Sequence, residues 1–317
     1  MKKYAIGIDL GGTKTLFALV DKTNGEIIKT VKKRIKDVLN NETVINCLKN
    51  GIDELLDKIA VSQKDISLIG IGAAGQIDIK KGEIIFAPNL NCKNLQIKQI
   101  LEEKYNIPTF VDNDVNVAAL GELKFGSAKN CETAICVFVG TGVGSTIIIN
   151  NKIFYGATST AGEIGHAVIV PNGKNCNCGQ KGCLEAYASR TAIEKRIKEN
   201  ILNGHNSVIT DLLDDIKSKI RSSVIREAVN LNDKVTLQAL DEASYYLACS
   251  LASVINFLNP EKIILGGGLI ESVDYFYNKT IEMAKQLALK TPAEKIVFEK
   301  ATLGDFSGVV GACFLND

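Results

Sequence analysis

The sequence predicts an α/β protein made of two domains with the same plan. Residues 4–33 have the pattern of a strand, a glycine turn, a strand, an Asn-Gly turn and a third strand, which is an antiparallel meander. From residue 133 the same order returns in TAICVFVGTGVGSTIIINNKIFYG, which indicates an internal duplication. The chain has 317 residues, of which 46% are hydrophobic, and this length favours two cores over one.

Helices and strands alternate after each meander. The segments predicted after the first meander are, in order, a helix near 41–60, the strand SLIGIGAAG, a helix around 94–105, the strand TFVDND and a helix over 115–126. Residues 190–258 are expected to be mostly helical, with one apolar stripe that packs in a core. KIILGGG predicts a strand that ends in glycines, and LGDFSGVVGACFL predicts a last helix that returns to the first domain.

Composition favours a small-molecule substrate. Lys and Arg number 37 against 36 Asp and Glu, and no basic tract suited to a nucleic-acid backbone is present, so a nucleic-acid partner is not expected. The apolar run after MKK is short, contains Asp9 and lacks a cleavage site, and no run is long enough for a membrane helix. Nine cysteines, most of them scattered, favour a reduced cytoplasm over a disulfide framework.

Three glycine-rich turns follow predicted strands: DLGGTKT, VGTGVGST and ILGGG. Without a Cβ, backbone N–H groups can surround an anion, so these turns are predicted to cradle phosphates, although tight hairpins alone would also explain them. Neither a Walker A loop nor a dinucleotide fingerprint is present. The candidate residues for binding phosphates and their cation are Asp9, Gly11, Gly12, Thr13, Lys14, Gly140, Thr141, Gly142, Gly266, Gly267 and Gly268.

Two strand ends carry acids. Asp9 ends the first strand and is placed to hold Mg²⁺ through water, with a simple turn cap as the alternative. FVDNDVNVAALGE places Asp112, Asn113 and Asp114 at the end of another strand, at the edge where α/β sheets bind ligands. A carboxylate at such an edge can act as a general base towards a bound hydroxyl group. The pattern alone leaves both aspartates open as the base or as a helix N-cap.

A cluster of cysteines follows the second meander. The spacing H-x9-C-x-C-x4-C offers four nitrogen and sulfur ligands, which suits a closed structural zinc site formed by His166, Cys176, Cys178 and Cys183. The second ring nitrogen of His166 would then be available to a further ligand. The alternative is a set of reduced surface thiols beside an unrelated histidine.

These motifs together resemble the ROK family of sugar kinases and repressors. The resemblance rests on GIDLGGTKT, VGTGVGS, AGEIGH, CNCGQKGCLE and ILGGG, which occur in the family's order through nearly the whole chain. It implies the actin-like ATPase (ribonuclease H-like) fold, with two duplicated α/β domains around a cleft. It also implies ATP, Mg²⁺ and a hexose as ligands, and a homodimer. Family repressors carry a helix-turn-helix domain ahead of the first strand, which begins here at residue 4, so the kinase branch is expected.

The resemblance also implies roles for single residues. Asp114 matches the family's catalytic base, while Asn89, Asn113, Glu163, His166 and Glu185 match positions that bind sugar hydroxyls. The smaller domain is expected over 1–115 with a C-terminal helix at 301–317, and the larger over 116–300 with the zinc site.

The implied function is an ATP-dependent hexose kinase that phosphorylates the 6-hydroxyl of a sugar, with glucose as the first choice. The alternatives are an N-acetylmannosamine or N-acetylglucosamine kinase, or a sugar-sensing ROK protein without catalysis. Ser145 and Thr146 stand where many family glucokinases have further glycines, and Thr158 and Ser159 where an Asn-Gly pair is common. Thr158 and Ser159 add bulk and hydroxyl groups if they face the pocket, which favours glucose over a sugar with an acetamido group.

Overall fold

A computed structural model describes residues 2–35, 38–213 and 215–316. The chain divides into two compact units. The first unit comprises residues 1–130, 153–161 and 302–317, and the second comprises 131–152 and 162–301. The outer limits of the predicted domains, residues 1 and 317, lie outside the described residues.

The strands of the described residues belong to three sheets. In chain order they are β1 (Tyr4–Leu10), β2 (Thr15–Asp21), β3 (Ile27–Lys33), β4 (Ile66–Ala73), β5 (Gln76–Asp78), β6 (Glu83–Ala87), β7 (Cys92–Leu95), β8 (Thr109–Asn113), β9 (Thr133–Val139), β10 (Val143–Ile149), β11 (Lys152–Ile153), β12 (Lys262–Gly266) and β13 (Val297–Lys300).

The α-helices of the described residues lie between and after these strands. In chain order they are α1 (Asn41–Asp57), α2 (Ile97–Tyr105), α3 (Asp114–Phe125), α4 (Glu185–Ala188), α5 (Arg190–Leu202), α6 (Ile209–Leu212), α7 (Ser222–Asn230), α8 (Lys234–Leu258), α9 (Gly268–Ser272), α10 (Asp274–Leu287), α11 (Lys290–Lys295) and α12 (Ser307–Ala312). None of the helices in the described part of the chain has the length and apolar composition that a bilayer crossing requires.

The predicted duplication is confirmed by the order of the strands in the two large sheets. The first sheet has the order β3-β2-β1-β4-β8, and the second has the order β11-β10-β9-β12-β13. The meander of the first sheet is antiparallel, and so is the pair of β9 and β10 in the second. In both sheets the next two strands are parallel to the meander's first strand. The repeated pattern of apolar strands in the sequence therefore builds one sheet topology twice.

The sheet of the first unit is covered on both faces. Alternate residues of β1 point to opposite sides, so Ile6 and Ile8 join a core with α1 and α2, while Ala5 joins a core with α12. Gly7 and Gly70 let α12 approach closely, because a Cβ at either position would lie 1.8 Å from a backbone oxygen of the helix. The expectation that the C-terminal segment forms a helix of the first domain agrees with this packing.

The second unit has one large core. Apolar side chains of β9 and β12 pack there with the long helix α8 and with α10. The stripe predicted on α8 lies in this core through Leu240, Ala243, Leu247 and Leu251. The prediction that residues 190–258 are mostly helical agrees with α5, α6, α7 and α8.

Two details differ from the sequence expectation. The helix expected from residue 94 begins at Ile97, because Asn94 has a φ of 50° and Cys92–Leu95 pairs with β6. A left-handed residue inside a paired strand cannot continue a helix. The two compact units also have limits other than the predicted boundary between residues 115 and 116, since α3 and residues 153–161 belong to the first unit.

Candidate active site and metal centre

Two acids and a glycine form a row across the first sheet. Asp9 on β1 pairs in register with Gly72 on β4, and Gly72 pairs with Asp112 on β8. A Cβ at Gly72 would lie 2.2 Å from Cγ2 of Val117 and 3.4 Å from the Cα of Asp114. The missing side chain therefore leaves room for the first turn of α3, and brings Asp114 against this row.

Asp9 lies in a partly buried and strongly charged setting. Burial, with the nearby carboxylate of Asp114 as the second cause, raises the pKa of Asp9 to about 6. Lys14 opposes this shift, and its Nζ lies 3.2 Å from Oδ2 of Asp305. A carboxylate that is costly to ionise alone is well suited to a site that a divalent cation completes.

Asp112 is fully buried and its carboxylate is already occupied. Oδ2 accepts a hydrogen bond from the Tyr155 hydroxyl at 2.7 Å, and Oδ1 accepts from Nδ2 of Asn116 at 3.0 Å and from the backbone N–H of Asn113 at 2.6 Å. Burial raises the pKa of Asp112, while these three donors favour the ionised form. This carboxylate is therefore an internal anchor for the residues around it.

Asn113 and Asp114 begin α3. Asn113 is the N-cap residue, and its Oδ1 accepts a hydrogen bond from the backbone N–H of Val115 at 2.9 Å. The same N–H lies 3.0 Å from Oδ1 of Asp114, which is partly exposed. Of the two aspartates considered as base or cap, neither is the N-cap residue, and Asp114 is the one that solvent reaches.

The first glycine turn needs its glycines for close packing. A Cβ at Gly12 would lie 2.5 Å from the backbone oxygen of Asn89, and one at Gly11 would lie 2.7 Å from the backbone oxygen of Lys14. Asn89 is exposed in a short 3-10 helix, Pro88–Leu90. The turn and Asn89 therefore lie side by side in the first unit, with Thr13 and Lys14 at the turn's exposed end.

The second glycine turn is held by a carboxylate. Oε2 of Glu185 accepts a hydrogen bond from the backbone N–H of Val143 at 3.0 Å, and a Cβ at Gly142 would lie 2.2 Å from that oxygen. The Thr191 hydroxyl donates to the backbone oxygen of Thr141 at 2.8 Å, and the N–H of Arg190 donates to that of Gly140 at 2.9 Å. These contacts fix the turn from the side of α4 and α5.

The third glycine motif follows β12. Gly267 has a φ of 90°, and a Cβ there would lie 2.6 Å from the backbone oxygen of Val139. Only glycine adopts this conformation at so short a distance without strain. Gly266 ends β12 and Gly268 begins α9, so the motif lies beside the end of β9 in the second unit.

The predicted zinc ligands come together in the second unit. The ligand atoms of His166, Cys176, Cys178 and Cys183 all lie within 4.8 Å of one another. The two Sγ atoms of Cys178 and Cys183 are 3.7 Å apart, and Nδ1 of His166 is 3.8 Å from Sγ of Cys176. A tetrahedron with Zn–S bonds of about 2.3 Å has S–S edges of about 3.8 Å. The donor set and its spacing therefore fit a closed tetrahedral zinc ion.

The loop that carries these ligands is folded tightly on itself. The N–H of Cys176 donates to the oxygen of Gln180 at 2.8 Å, and that of Gly182 donates to the oxygen of Lys174 at 2.8 Å. The N–H of His166 donates to the oxygen of Glu163 at 3.0 Å, and Glu185 follows Cys183 by two residues. The cluster therefore ties together the two ends of the segment that bears Glu163 and Glu185.

A cavity of about 370 Å³ lies within the second unit, between this loop, the second glycine turn and α5. Thr141, Glu185 and Cys176 line it, together with Lys195 and Arg196 from α5. Its lining is mixed in charge, and it includes residues from both the predicted nucleotide turn and the metal loop.

The first unit thus holds Asp9, Asn89, Asn113 and Asp114, while the second unit holds Glu163, His166 and Glu185. Two further anchors are not predicted from the sequence, the partly buried Tyr155 and the fully buried Glu122. Glu122 is fully buried and accepts hydrogen bonds from the N–H groups of Ser127 and Leu303, both at 2.9 Å. Asp112 is 43 residues from Tyr155, and Leu303 is 181 residues from Glu122, so no local pattern reveals these two contacts.

Comparison with known proteins identifies the relatives of this chain. The ROK family profile matches residues 5–317. A glucokinase from Halalkalibacterium halodurans is 33% identical over 315 residues, which are 99% of this chain and 94% of that protein. A xylose repressor from Bacillus subtilis is 33% identical over 274 residues, which are 85% of this chain and 65% of the repressor.

A solved structure is similar over its full length. It is a ROK family glucokinase from Streptomyces griseus in complex with glucose and AMPPNP. The TM-score is 0.86 at 30% identity, and the match covers 98% of each chain.

Proposed function

The chain belongs to the ROK family and has its actin-like ATPase fold, and we propose on that premise that it is an ATP-dependent hexose kinase that phosphorylates the 6-hydroxyl of glucose. The observation that carries this proposal is the likeness to glucokinases along 99% of the chain, with Asp9, Asp114 and all three glycine turns present. A fold alone would not establish an activity, whereas these residues supply the parts that phosphoryl transfer needs.

Asp114 is proposed as the general base. Its carboxylate takes the proton of the 6-hydroxyl as the sugar oxygen attacks the γ-phosphorus of ATP, and the bond between that phosphorus and the β,γ-bridging oxygen breaks to release ADP. The occupied and buried state of Asp112 supports this assignment, since its oxygens already accept three hydrogen bonds. Asp112 holds the backbone next to Asp114 in place.

The glycine turns and Asp9 are proposed to serve the nucleotide. Backbone N–H groups of the turns would face phosphate oxygens, and Asp9 would hold a Mg²⁺-bound water. The cation, when bound with ATP, neutralises phosphate charge in the transition state. The pKa of about 6 for Asp9 without a cation fits this role, because a bound cation favours the carboxylate form.

The sugar is proposed to contact five polar side chains. These are the side chains of Asn89, Asn113, Glu163, His166 and Glu185. A hexose presents several hydroxyl groups, each of which needs a donor or acceptor once water is removed. An oxygen of Glu185 that already holds the N–H of Val143 leaves the other oxygen as a candidate acceptor.

The metal centre is proposed to bind one structural zinc ion. Four protein ligands leave no position for a reactive water, so the metal would brace the loop and take no part in the chemistry. Elemental analysis of the purified protein should find about one zinc per chain. A protein that folds and works without zinc would contradict this role.

The setting of the enzyme is proposed from less direct features. All nine cysteines lie in the described residues and none of them is joined in a disulfide, which supports a reducing compartment such as the cytoplasm. Balanced charge supports a partner list of hexose and ATP, without nucleic acid or membrane. A homodimer is proposed from family habit, and sedimentation of the purified protein would test it.

A coupled assay of ADP release tests the function. We expect release in the presence of glucose and Mg²⁺, with a kcat/KM for glucose at least about tenfold above that for N-acetylmannosamine and N-acetylglucosamine, the order that one mismatched group in a pocket produces. Preference for either amino sugar would change the substrate and leave the kinase standing. The likeness to a xylose repressor favours a sugar sensor as the second candidate. Tight sugar binding in calorimetry without ADP release from any hexose would support the sensor.

A further inference from the structure

A short segment that follows β10 is built into the first unit. Residues 153–161 leave β11 and belong to the same unit as β8 and α3. The segment forms a loop that closes on itself, because the N–H of Ala161 donates to the backbone oxygen of Tyr155 at 3.1 Å. Tyr155 therefore stands at the base of this loop.

The side chain of Tyr155 fastens this loop to the end of β8. Its hydroxyl donates to Oδ2 of Asp112 at 2.7 Å, and Asp112 is fully buried. Burial and the neighbouring carboxylate raise the pKa of Tyr155, so the hydroxyl keeps its proton and remains a donor. A hydrogen bond from a hydroxyl to a buried carboxylate is among the stronger kinds.

The same carboxylate fixes the residues next to the proposed base. Asp112 accepts from the N–H of Asn113 and from the side chain of Asn116 in the first turn of α3. Asp114 lies between these two residues in the chain. One carboxylate thus links the loop on one side with the strand end and helix start on the other.

The tip of the loop carries three consecutive hydroxyl residues. Thr158 and Thr160 are exposed, and their Oγ1 atoms lie 2.8 Å apart. Ser159 has a φ of 60°, a left-handed conformation that costs energy for a residue with a Cβ. The strained tip keeps a defined position only if the residues at the start of the loop are held in place. The hydroxyl groups of the tip can both donate and accept hydrogen bonds, as the hydroxyl groups of a sugar do.

We propose that Tyr155 is a positioning residue for the sugar, which sets the place of the hydroxyl-bearing loop Gly156–Thr160 relative to Asn113 and Asp114 through its hydrogen bond to Asp112. The proposal rests on the proposed hexose kinase function. On this proposal, the loop is the element that distinguishes sugars. Tyr155 is the contact that fixes the position of the loop relative to Asp114.

The test is Tyr155→Phe, which removes one hydroxyl and keeps the ring. We expect the KM for glucose to rise about tenfold, the loss typical of one hydrogen bond to a charged group, while kcat falls less than about threefold and the KM for ATP stays unchanged. The preference for glucose over N-acetylmannosamine should shrink by a similar factor. A merely structural tyrosine would lower the melting temperature and leave this split between KM and kcat absent.

Tyr105→Phe is the matched control. The Tyr105 hydroxyl donates to Oδ1 of Asp53 at 2.8 Å in the same unit, on α2 and away from the proposed site residues. Its loss should change stability and leave the KM for glucose as in the wild type. An unchanged glucose KM in Tyr155→Phe, or an equal rise in Tyr105→Phe, would overturn the proposal.

A double-mutant cycle with Thr158→Ala tests whether Tyr155 acts through the loop. If it does, the effects of the two substitutions on glucose KM are less than additive, whereas full additivity would overturn the proposal. Circular dichroism and the melting temperature check that each variant folds. If the wild-type protein phosphorylates no hexose, the proposed function fails. Calorimetry then compares the affinities of the wild type and of Tyr155→Phe for glucose, which tests the role of Tyr155 without catalysis. Equal affinity of wild type and Tyr155→Phe, or no binding by either, would reject the positioning role as well.

Discussion

The two large sheets have one topology and different chemistry at the same place. In the first unit, Asp9 pairs with Gly72, and Gly72 pairs with Asp112. In the second unit the matching position of β9 is Phe138, which pairs with Gly266 of β12. The glycine recurs and the acid does not. The duplicated frame is therefore set by apolar strands, while the chemistry depends on a few residues at the strand ends.

The two glycine turns also differ in what supports them. Beside the first turn lie a backbone oxygen of Asn89 and the charged side chains of Asp9 and Lys14. The second turn is held from behind by the carboxylate of Glu185, close to the metal loop. We interpret the surroundings of the first turn as the place of proton and cation chemistry. The second turn lies beside the loop that the metal cluster holds in place.

The largest expected effect comes from Asp114, which lies next to the row formed by Asp9, Gly72 and Asp112. Asp114→Asn should lower kcat by about a hundredfold or more, because the amide cannot take the proton of the sugar hydroxyl, while the protein still folds and binds ATP. Steady-state kinetics and nucleotide calorimetry measure both. The comparison variant is Asp112→Asn, for which we expect lower stability and a smaller loss of kcat. The reverse order of the two kcat losses would mean that their roles are exchanged.

Asp9→Asn should show how much the ionised carboxylate of Asp9 lowers the free energy of unfolding. The folded pKa of about 6 lies above the ordinary value of 3.8, so the free energy of unfolding falls as the pH rises from about 4 to about 6. The full cost of ionising Asp9 remains above about pH 6, and there is none below about pH 4. Without nucleotide and Mg²⁺, the variant should gain up to about 3 kcal/mol of unfolding free energy at pH 8, and little at pH 4. Urea unfolding at both pH values measures this.

The control for that experiment is Asp65→Asn, an exposed aspartate of the same unit. Its effect on the unfolding free energy should be small at both pH values. A gain for Asp9→Asn of the same size at pH 4 and pH 8 would show that burial of the charge is not the cause.

Cys178→Ser tests whether the proposed zinc site in the second unit holds its loop in place. Loss of one thiolate should release the zinc and weaken glucose binding about tenfold, with ATP binding nearly unchanged, since the loop ends carry Glu163 and Glu185. Elemental analysis and calorimetry give the two readouts. Cys249→Ser, on α8 and outside the cluster, should leave both at the wild-type level. Full zinc content in Cys178→Ser would remove this residue from the ligand set.

The smallest expected effects are on the free energy of unfolding, and they differ between two glycines of the second turn. A Cβ at Gly140 meets nothing within 4 Å, whereas one at Gly142 would lie 2.2 Å from Oε2 of Glu185. Gly140→Ala should therefore change the unfolding free energy by less than about 0.5 kcal/mol, and Gly142→Ala should lower it by about 1–3 kcal/mol. Chemical denaturation of both variants decides this. Equal stabilities would mean that Glu185 does not hold the turn.

The sequence predicted features that depend on local patterns. The meanders follow from alternating apolar runs and glycine turns, and the cluster of Cys176, Cys178 and Cys183 follows from short spacing. The start of α2 was predicted three residues early, because the pairing of Cys92–Leu95 with β6 overrides a helical pattern.

Other features depend on contacts between distant parts of the chain. The bond from Tyr155 to Asp112 spans 43 residues, and the contacts of Glu122 with Thr302 and Leu303 span more. No periodicity marks such partners, so the sequence left Asp112 and Asp114 as rivals. The difference between them is visible only when the hydrogen-bond partners of each carboxylate are known.

The transfer of the γ-phosphate to glucose is the claim on which the other roles depend. Phosphorus NMR of a mixture of the protein, Mg²⁺, ATP and glucose follows this transfer directly. We expect the γ-phosphate signal to be replaced by that of a phosphate monoester coupled to the protons on carbon 6 of the sugar, at a rate at least about a hundredfold lower in Asp114→Asn. Release of inorganic phosphate alone, or ATP that persists with every hexose offered, would contradict the account.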